Sequence, residues 1–223
     1  MDAAPSSEPS VESSSDVRSE RERPRRGGWP AWPAQRSRSR ATSPTPADRA
    51  IRSCPTDRNT VKPLTDNEIR ASLVNCSRRE AKQASVPNDL DALPWEQLDY
   101  LGWVDRSNPQ RAYAVVPVDD EPVAFVLRAS GRTRTASAMC AWCEDVFATA
   151  DVRLWVAKRA GAAGREGNSL GTLVHADFSC SQHVRRLPNA MEGGLDPTSL
   201  VERRIDELRS RSTAFARRVR DGS

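Results

Sequence analysis

Two short groups of metal-type ligands constrain this chain more than anything else in it. Cys140-Ala-Trp-Cys143 offers two thiols from one tight turn, and after residues 144–174 the stretch His175-Ala-Asp-Phe-Ser-Cys180 offers a second pair. A divalent ion with a preference for four tetrahedral sulfur and nitrogen ligands, zinc above all, is satisfied by two such pairs. The intervening loop adds little to the closure cost, because that cost rises slowly with loop length. A two-thiol knuckle, then a hairpin, then a short helix whose first turn carries the last ligand is the arrangement called a treble clef. One structural zinc ion per chain is therefore expected on Cys140, Cys143, Cys180 and a histidine.

Which histidine is open at this level. Cys180 and His183 are also three apart and would share a helix face. His175 is preferred, because it ends a strand just before Asp177, a good N-cap, so that strand end and helix start converge on the ion. The alternatives to a metal are two small buried thiols or a redox pair. A redox pair wants a βαβ frame, which the pattern lacks, and the second ligand pair favours the metal. A zinc deaminase needs His-x-Glu ahead of Pro-Cys-x-x-Cys, whereas here the pairs come in the opposite order and Asp177 stands where glutamate is wanted. Four protein ligands would also leave no position for a reacting water. No phosphate-cradling loop with lysine and serine and no nucleophilic-serine motif is present, so a non-catalytic protein without a small-molecule substrate is expected.

Around the ligands the hydrophobic period changes along the chain. Thr65 and Glu68 form a capping box, and Ile69, Leu73 and Cys76 recur at helical spacing, which predicts one helix through about Gln83, ended by Pro87. Strand patterns follow at residues 98–104, 112–116 and 123–127, separated by turn residues, and read as an antiparallel meander. Two more, at 153–157 and 169–174, flank Ala160-Gly-Ala-Ala-Gly164, read as a long hairpin loop. A short helix from Cys180 to Leu187 is expected under the Asp177 cap. After a linker from Met191 to Pro197, the residues Val201, Ile205, Leu208, Phe215 and Val219 mark one stripe of an arginine-rich helix, expected to cap the body rather than meet a partner. The predicted class is α+β: a meander with a treble-clef zinc finger, one preceding helix, one C-terminal helix and a disordered N-terminal tail. Residues 1–61 form that tail, 62–187 the zinc-finger body, and 188–223 a linker and amphipathic helix.

The formal charge of +4 invites a nucleic-acid reading until it is located. Eight arginines against Glu20 and Glu22 lie between Arg18 and Arg40, and seven more fall in the terminal helix, which leaves the middle near neutral. A broad basic face on the body is thus not expected. The first sixty residues, rich in Ser, Pro and Arg, cannot bury enough apolar surface to offset ordering entropy. Trp29 and Trp32 within an arginine-glycine stretch could stack on single-stranded RNA, although a solvated tail accounts for the same composition. No run of about 18 apolar residues and no basic-then-apolar start occurs, so a cytoplasmic protein free of membrane is expected.

Taken together, Pro63-Leu-Thr-Asp-Asn-Glu-Ile-Arg-Ala-Ser-Leu-Val-Asn-Cys-Ser-Arg-Arg-Glu-Ala-Lys82, Leu93-Pro-Trp-Glu-Gln-Leu-Asp-Tyr-Leu-Gly-Trp103, Cys140-Ala-Trp-Cys143, Ala160-Gly-Ala-Ala-Gly-Arg-Glu-Gly-Asn168 and Gly171-Thr-Leu-Val-His-Ala-Asp-Phe-Ser-Cys180 resemble the elongation factor G-binding proteins. The resemblance is to their C-terminal treble-clef domain, in its actinobacterial form, over about residues 62–187. It implies a protein that docks on elongation factor G and helps it leave the ribosome, as the fusidic-acid-resistance members do. It places Cys140, Cys143 and Cys180 at ligand positions, with histidine at 175 where many relatives carry cysteine. The fuller helical N-terminal domain of the resistance proteins is not matched. Trp142 and Phe147 beside the knuckle and Arg185 and Arg186 after the zinc-site helix are candidate contact residues, since aromatic and arginine side chains anchor interfaces; the alternative, with the two aromatics packed around the metal and the arginines solvated, stays open. The competing expectation is an RNA- or ribosome-binding zinc protein that uses the basic tail and terminal helix.

Overall fold

A computed structural model of the chain describes residues 61–131, 137–147, 149, 151–189, 192 and 196–222. Trp29, Trp32, Cys54, the tail as a whole and most of the 190–195 link lie outside them. Five strands, β1 (Leu101–Val104), β2 (Arg111–Val118), β3 (Glu121–Ala129), β4 (Val152–Lys158) and β5 (Ser169–His175), form one antiparallel sheet in sequence order. The meander and both later strands are therefore present, with β2 and β3 longer than their apolar cores suggested. Asp119 and Asp120 form a two-residue turn with φ of 54° and 66°, and the matching right-handed twist lets Val118 pair directly with Glu121.

β2 and β3 are buried on both faces because each face is covered by a different layer. Ala112, Ala114, Val116 and Val118 join Phe125, Leu127 and Trp155 in a core closed by Leu208, Phe215, Ala216 and Val219. The last four belong to helix α5 (Pro197–Arg220), capped by the Asp196 carboxylate, which accepts from the Ser199 amide at 2.9 Å. α5 thus covers the body, as its stripe implied, and the Phe125 and Phe215 rings meet at 5.6 Å. Burying one such side chain contributes roughly 1.5–3 kcal/mol. On the other face Trp103 stacks on Tyr113 at 5.3 Å, and Ile69 of helix α1 (Asp66–Ala71) is fully buried.

The single helix expected up to Gln83 is two: α1 and α2 (Arg78–Lys82), each with its own capping box, Thr65 with Glu68 and Ser77 with Glu80. Between them the chain runs beside β3, where the Ala124 amide donates to the Ser72 carbonyl and the Val74 amide to the Ala124 carbonyl. Asn75 explains the break. Its side-chain amide donates to the carbonyls of Val126 and Lys158 and accepts from the Val126 amide, at 3.0, 2.9 and 2.8 Å. β3 and β4 pair directly only at Arg128–Val156 and Ala129–Trp155, so Asn75 bridges the strands where they part. Those long-range bonds outweigh the local helical period.

The glycine link is also different from expectation: Gly161–Arg165 is a helical turn, α3. Its Gly164 is buried against the Arg159 carbonyl, into which any Cβ would run. Backbone cannot yield as a flexible side chain can, so Gly164→Ala is expected to cost about 1–3 kcal/mol, read as a lower thermal midpoint, while Ala162→Ser at an exposed position of the same turn leaves it unchanged. Among the described residues no helix is long and apolar enough to cross a membrane.

Candidate metal centre

Three elements converge at one end of the sheet. The knuckle turn holds Cys140 and Cys143, and its Ala141 amide donates to the Leu173 carbonyl of β5 at 2.7 Å. β5 ends at His175, in register with Val152 of β4. A turn then leads into helix α4 (Cys180–Val184). In that turn Phe178 adopts a φ of 61°, and the Tyr100 hydroxyl donates to its carbonyl at 3.1 Å. The Asp177 carboxylate accepts from the Ser179 amide and hydroxyl, so Asp177 braces the turn instead of capping α4 directly.

The ligand atoms of Cys140, Cys143, His175 and Cys180 all lie within 4.8 Å of one another, and all four residues are buried. Cys140 Sγ stands 3.6 Å from Cys180 Sγ, and His175 Nδ1 stands 3.6 and 3.5 Å from the sulfurs of Cys143 and Cys180. With metal–sulfur bonds of about 2.3 Å and metal–nitrogen bonds of about 2.0 Å, a tetrahedron has edges of about 3.5–3.8 Å. The distances are the edges of such a shell, and the Cys3His group fits one structural zinc ion. Hydrogen bonds from Cys143 and Cys180 hold Cys140 far below the ordinary thiol range, and burial drives Cys180 well above it. A bound divalent cation would take its sulfur ligands as thiolates. His183 is not in the group: its Nε2 lies 3.2 Å from Ser179 Oγ, and its ring meets that of His175 edge-on.

The family model for the FBP C-terminal treble-clef zinc-finger matches residues 68–219. The chain belongs to this family. No curated protein and no solved structure matches it. The match extends past residue 187 into α5, which the sequence resemblance had left outside, and α5 is indeed bonded to the zinc end of the FBP domain. Arg211 reaches from α5 to the Glu144 carboxylate at 2.7 Å and to the Trp142 carbonyl at 3.4 Å.

The expected contact residues separate into two kinds. Trp142 is a correction: only 2% exposed, it meets Tyr100 edge-on at 4.8 Å and Phe215 at 5.8 Å, and is therefore core. An indole next to a knuckle has more to gain from burial than from waiting for a partner. Arg185 is engaged within the fold. Its guanidinium grips Asp99 at 2.5 and 3.1 Å, and Asp99 is also held by Arg209 of α5 at 2.9 Å. Phe147, by contrast, is 50% exposed, and the Arg186 guanidinium lies over its ring at 4.6 Å. Arg186 is held in place by Glu192 at 3.1 Å and Asp145 at 3.7 Å. The Asp99 cluster and Asn75 had no sequence signal, because their partners lie far along the chain.

Proposed function

We propose that this FBP zinc finger is a cytoplasmic, non-catalytic protein that binds translation elongation factor G and promotes its release from the ribosome. The observation that carries the reading, beside family membership, is the surface beside the zinc site. Met139, Val146, Phe147 and Leu187 expose large apolar side chains there, at 51, 63, 50 and 77%. Val146 lines a cleft of about 330 Å³ together with Arg186, Arg204, Asp145 and Glu207. An exposed apolar group with ordered charges at its border is the composition of a protein-binding surface. A shell of four protein ligands offers no open coordination position, which supports binding over chemistry.

The competing reading, in which α5 supplies phosphate contacts, is weakened by the pairing of its arginines. Arg204 bonds Glu192, Arg209 bonds Asp99, Arg211 bonds Glu144 and Glu207, and Arg217 and Arg220 bond Asp119. These cations already serve the fold.

Capture from nuclease-treated lysate on the full chain is expected to retain elongation factor G; loss of every partner on nuclease treatment overturns the reading. With purified components, Phe147→Ala and Arg186→Ala are each expected to weaken binding about tenfold without lowering zinc content.

A further inference from the structure

A groove on the sheet face away from α5 carries charge that neither the zinc centre nor the surface beside it uses. It opens where β3 and β4 part, roofed by the Asn75–Glu80 segment on one side and α3 on the other. Its volume is about 510 Å³. The walls carry Arg111, Arg128, Lys158, Arg159 and Arg165 against a single carboxylate, Glu80. That carboxylate is already engaged, accepting from the Ser77 amide and hydroxyl at 2.9 Å each and facing Arg128 at 3.8 Å. The nearby Asp105 carboxylate is likewise occupied by Ser107 and the Tyr113 hydroxyl. Lys158 and Arg165 make no ion pair among the described residues; the Arg111 guanidinium donates to the Tyr113 hydroxyl and its charge is favoured by Asp105 and Glu80, but its Nε is buried without a hydrogen-bond partner.

Like charges gathered in a concavity over the apolar side chains Val126 and Val156 repel one another, and the low-dielectric floor strengthens the repulsion. Such a cluster offers an anion more positive charge than the groove itself neutralises. One carboxylate would answer only one of the surplus charges, whereas a phosphate chain brings several, in a geometry that guanidinium forks match. We propose that this groove is a binding site for phosphate-bearing ligands carrying two or more linked phosphates. Its ligand is either a free pyrophosphate-type molecule or successive phosphodiesters of a single RNA strand. The site is independent of the zinc centre and of the proposed protein partner.

The test is calorimetric titration of the full, zinc-loaded chain with inorganic pyrophosphate at low salt, repeated with the double variant Lys158→Gln/Arg165→Gln. Binding is expected to be weakened by about a hundredfold in the variant, since each of the two lost charged hydrogen bonds removes roughly a factor of ten. Because both side chains are exposed and make no ion pair, the variant's thermal midpoint is also expected to stay level. A merely structural role for these residues predicts the opposite, a lower midpoint. A competition arm distinguishes the sources: a short single-stranded RNA that displaces pyrophosphate from the wild-type groove identifies polynucleotide phosphate, and RNA that fails to displace it identifies a small molecule. No detectable pyrophosphate binding, or equal binding by wild type and variant, overturns the proposal.

Discussion

Chelating the zinc is expected to unfold the FBP domain as a whole, not to loosen one loop. The ion would join the knuckle, the end of β5 and the start of α4, and the knuckle carries Trp142 into the core against Tyr100 and Phe215. Freeing the thiolates therefore releases a core indole along with three backbone segments. Structural zinc contributes on the order of 10 kcal/mol in small fingers, comparable with the whole stability of a typical domain, about 5–15 kcal/mol. Metal analysis should give one zinc per chain, lost in Cys140→Ser and in His175→Ala but kept in His183→Ala. Near-ultraviolet dichroism should collapse when a chelator removes the ion. A chelated, metal-free chain with an unchanged thermal midpoint would sink the structural role.

The second large effect is expected at Asp99, far from any ligand in sequence. Its carboxylate, 1% exposed, takes bonds from Arg185 and from Arg209, itself 7% exposed, and the Asp99 amide is held by Ser181 Oγ at 3.1 Å. This cluster fastens the segment before β1 to α4 and α5 together. Removing one partner of a buried ion pair costs about 3–5 kcal/mol, because the remaining charge stays desolvated. Asp99→Ala is thus expected to lower the thermal midpoint by roughly 10 °C or more for a domain of this size. Replacing Asp99 and Arg209 together by apolar residues of similar volume should recover much of the loss. A drop of only a degree or two in the single variant would mean that water reaches the site.

How far the sequence is legible can be judged from particular residues. The zinc ligands are readable because metal coordination imposes its own spacing, Cys140 with Cys143 and His175 with Cys180, whatever surrounds it. The strands are readable because alternating or continuous apolar runs such as Ala112 to Val116 match a buried pleat. The helix through Gln83 is misread for an equally definite reason. Local period and capping at Thr65 favour continuation, yet the Asn75 amide gains more from bridging β3 and β4, a contact invisible along the chain. Trp142 is misread because an aromatic beside a knuckle looks the same in sequence whether α5 covers it or a partner does.

By itself, then, the order of residues determined the three sulfur ligands, the class of metal, the meander and the amphipathic stripe of the last helix. These follow from spacings of a few residues, which chain geometry fixes at once. Tertiary structure alone decided which histidine joins the three sulfurs, that Asn75 ends α1 and stitches two parting strands, and that Asp99 gathers Arg185 and Arg209. It also decided that five cationic side chains from β2, β3, β4, α3 and the link between the last two line one groove. Each of those outcomes depends on groups separated by many residues, whose meeting is set by packing and desolvation in the folded body and by no local rule.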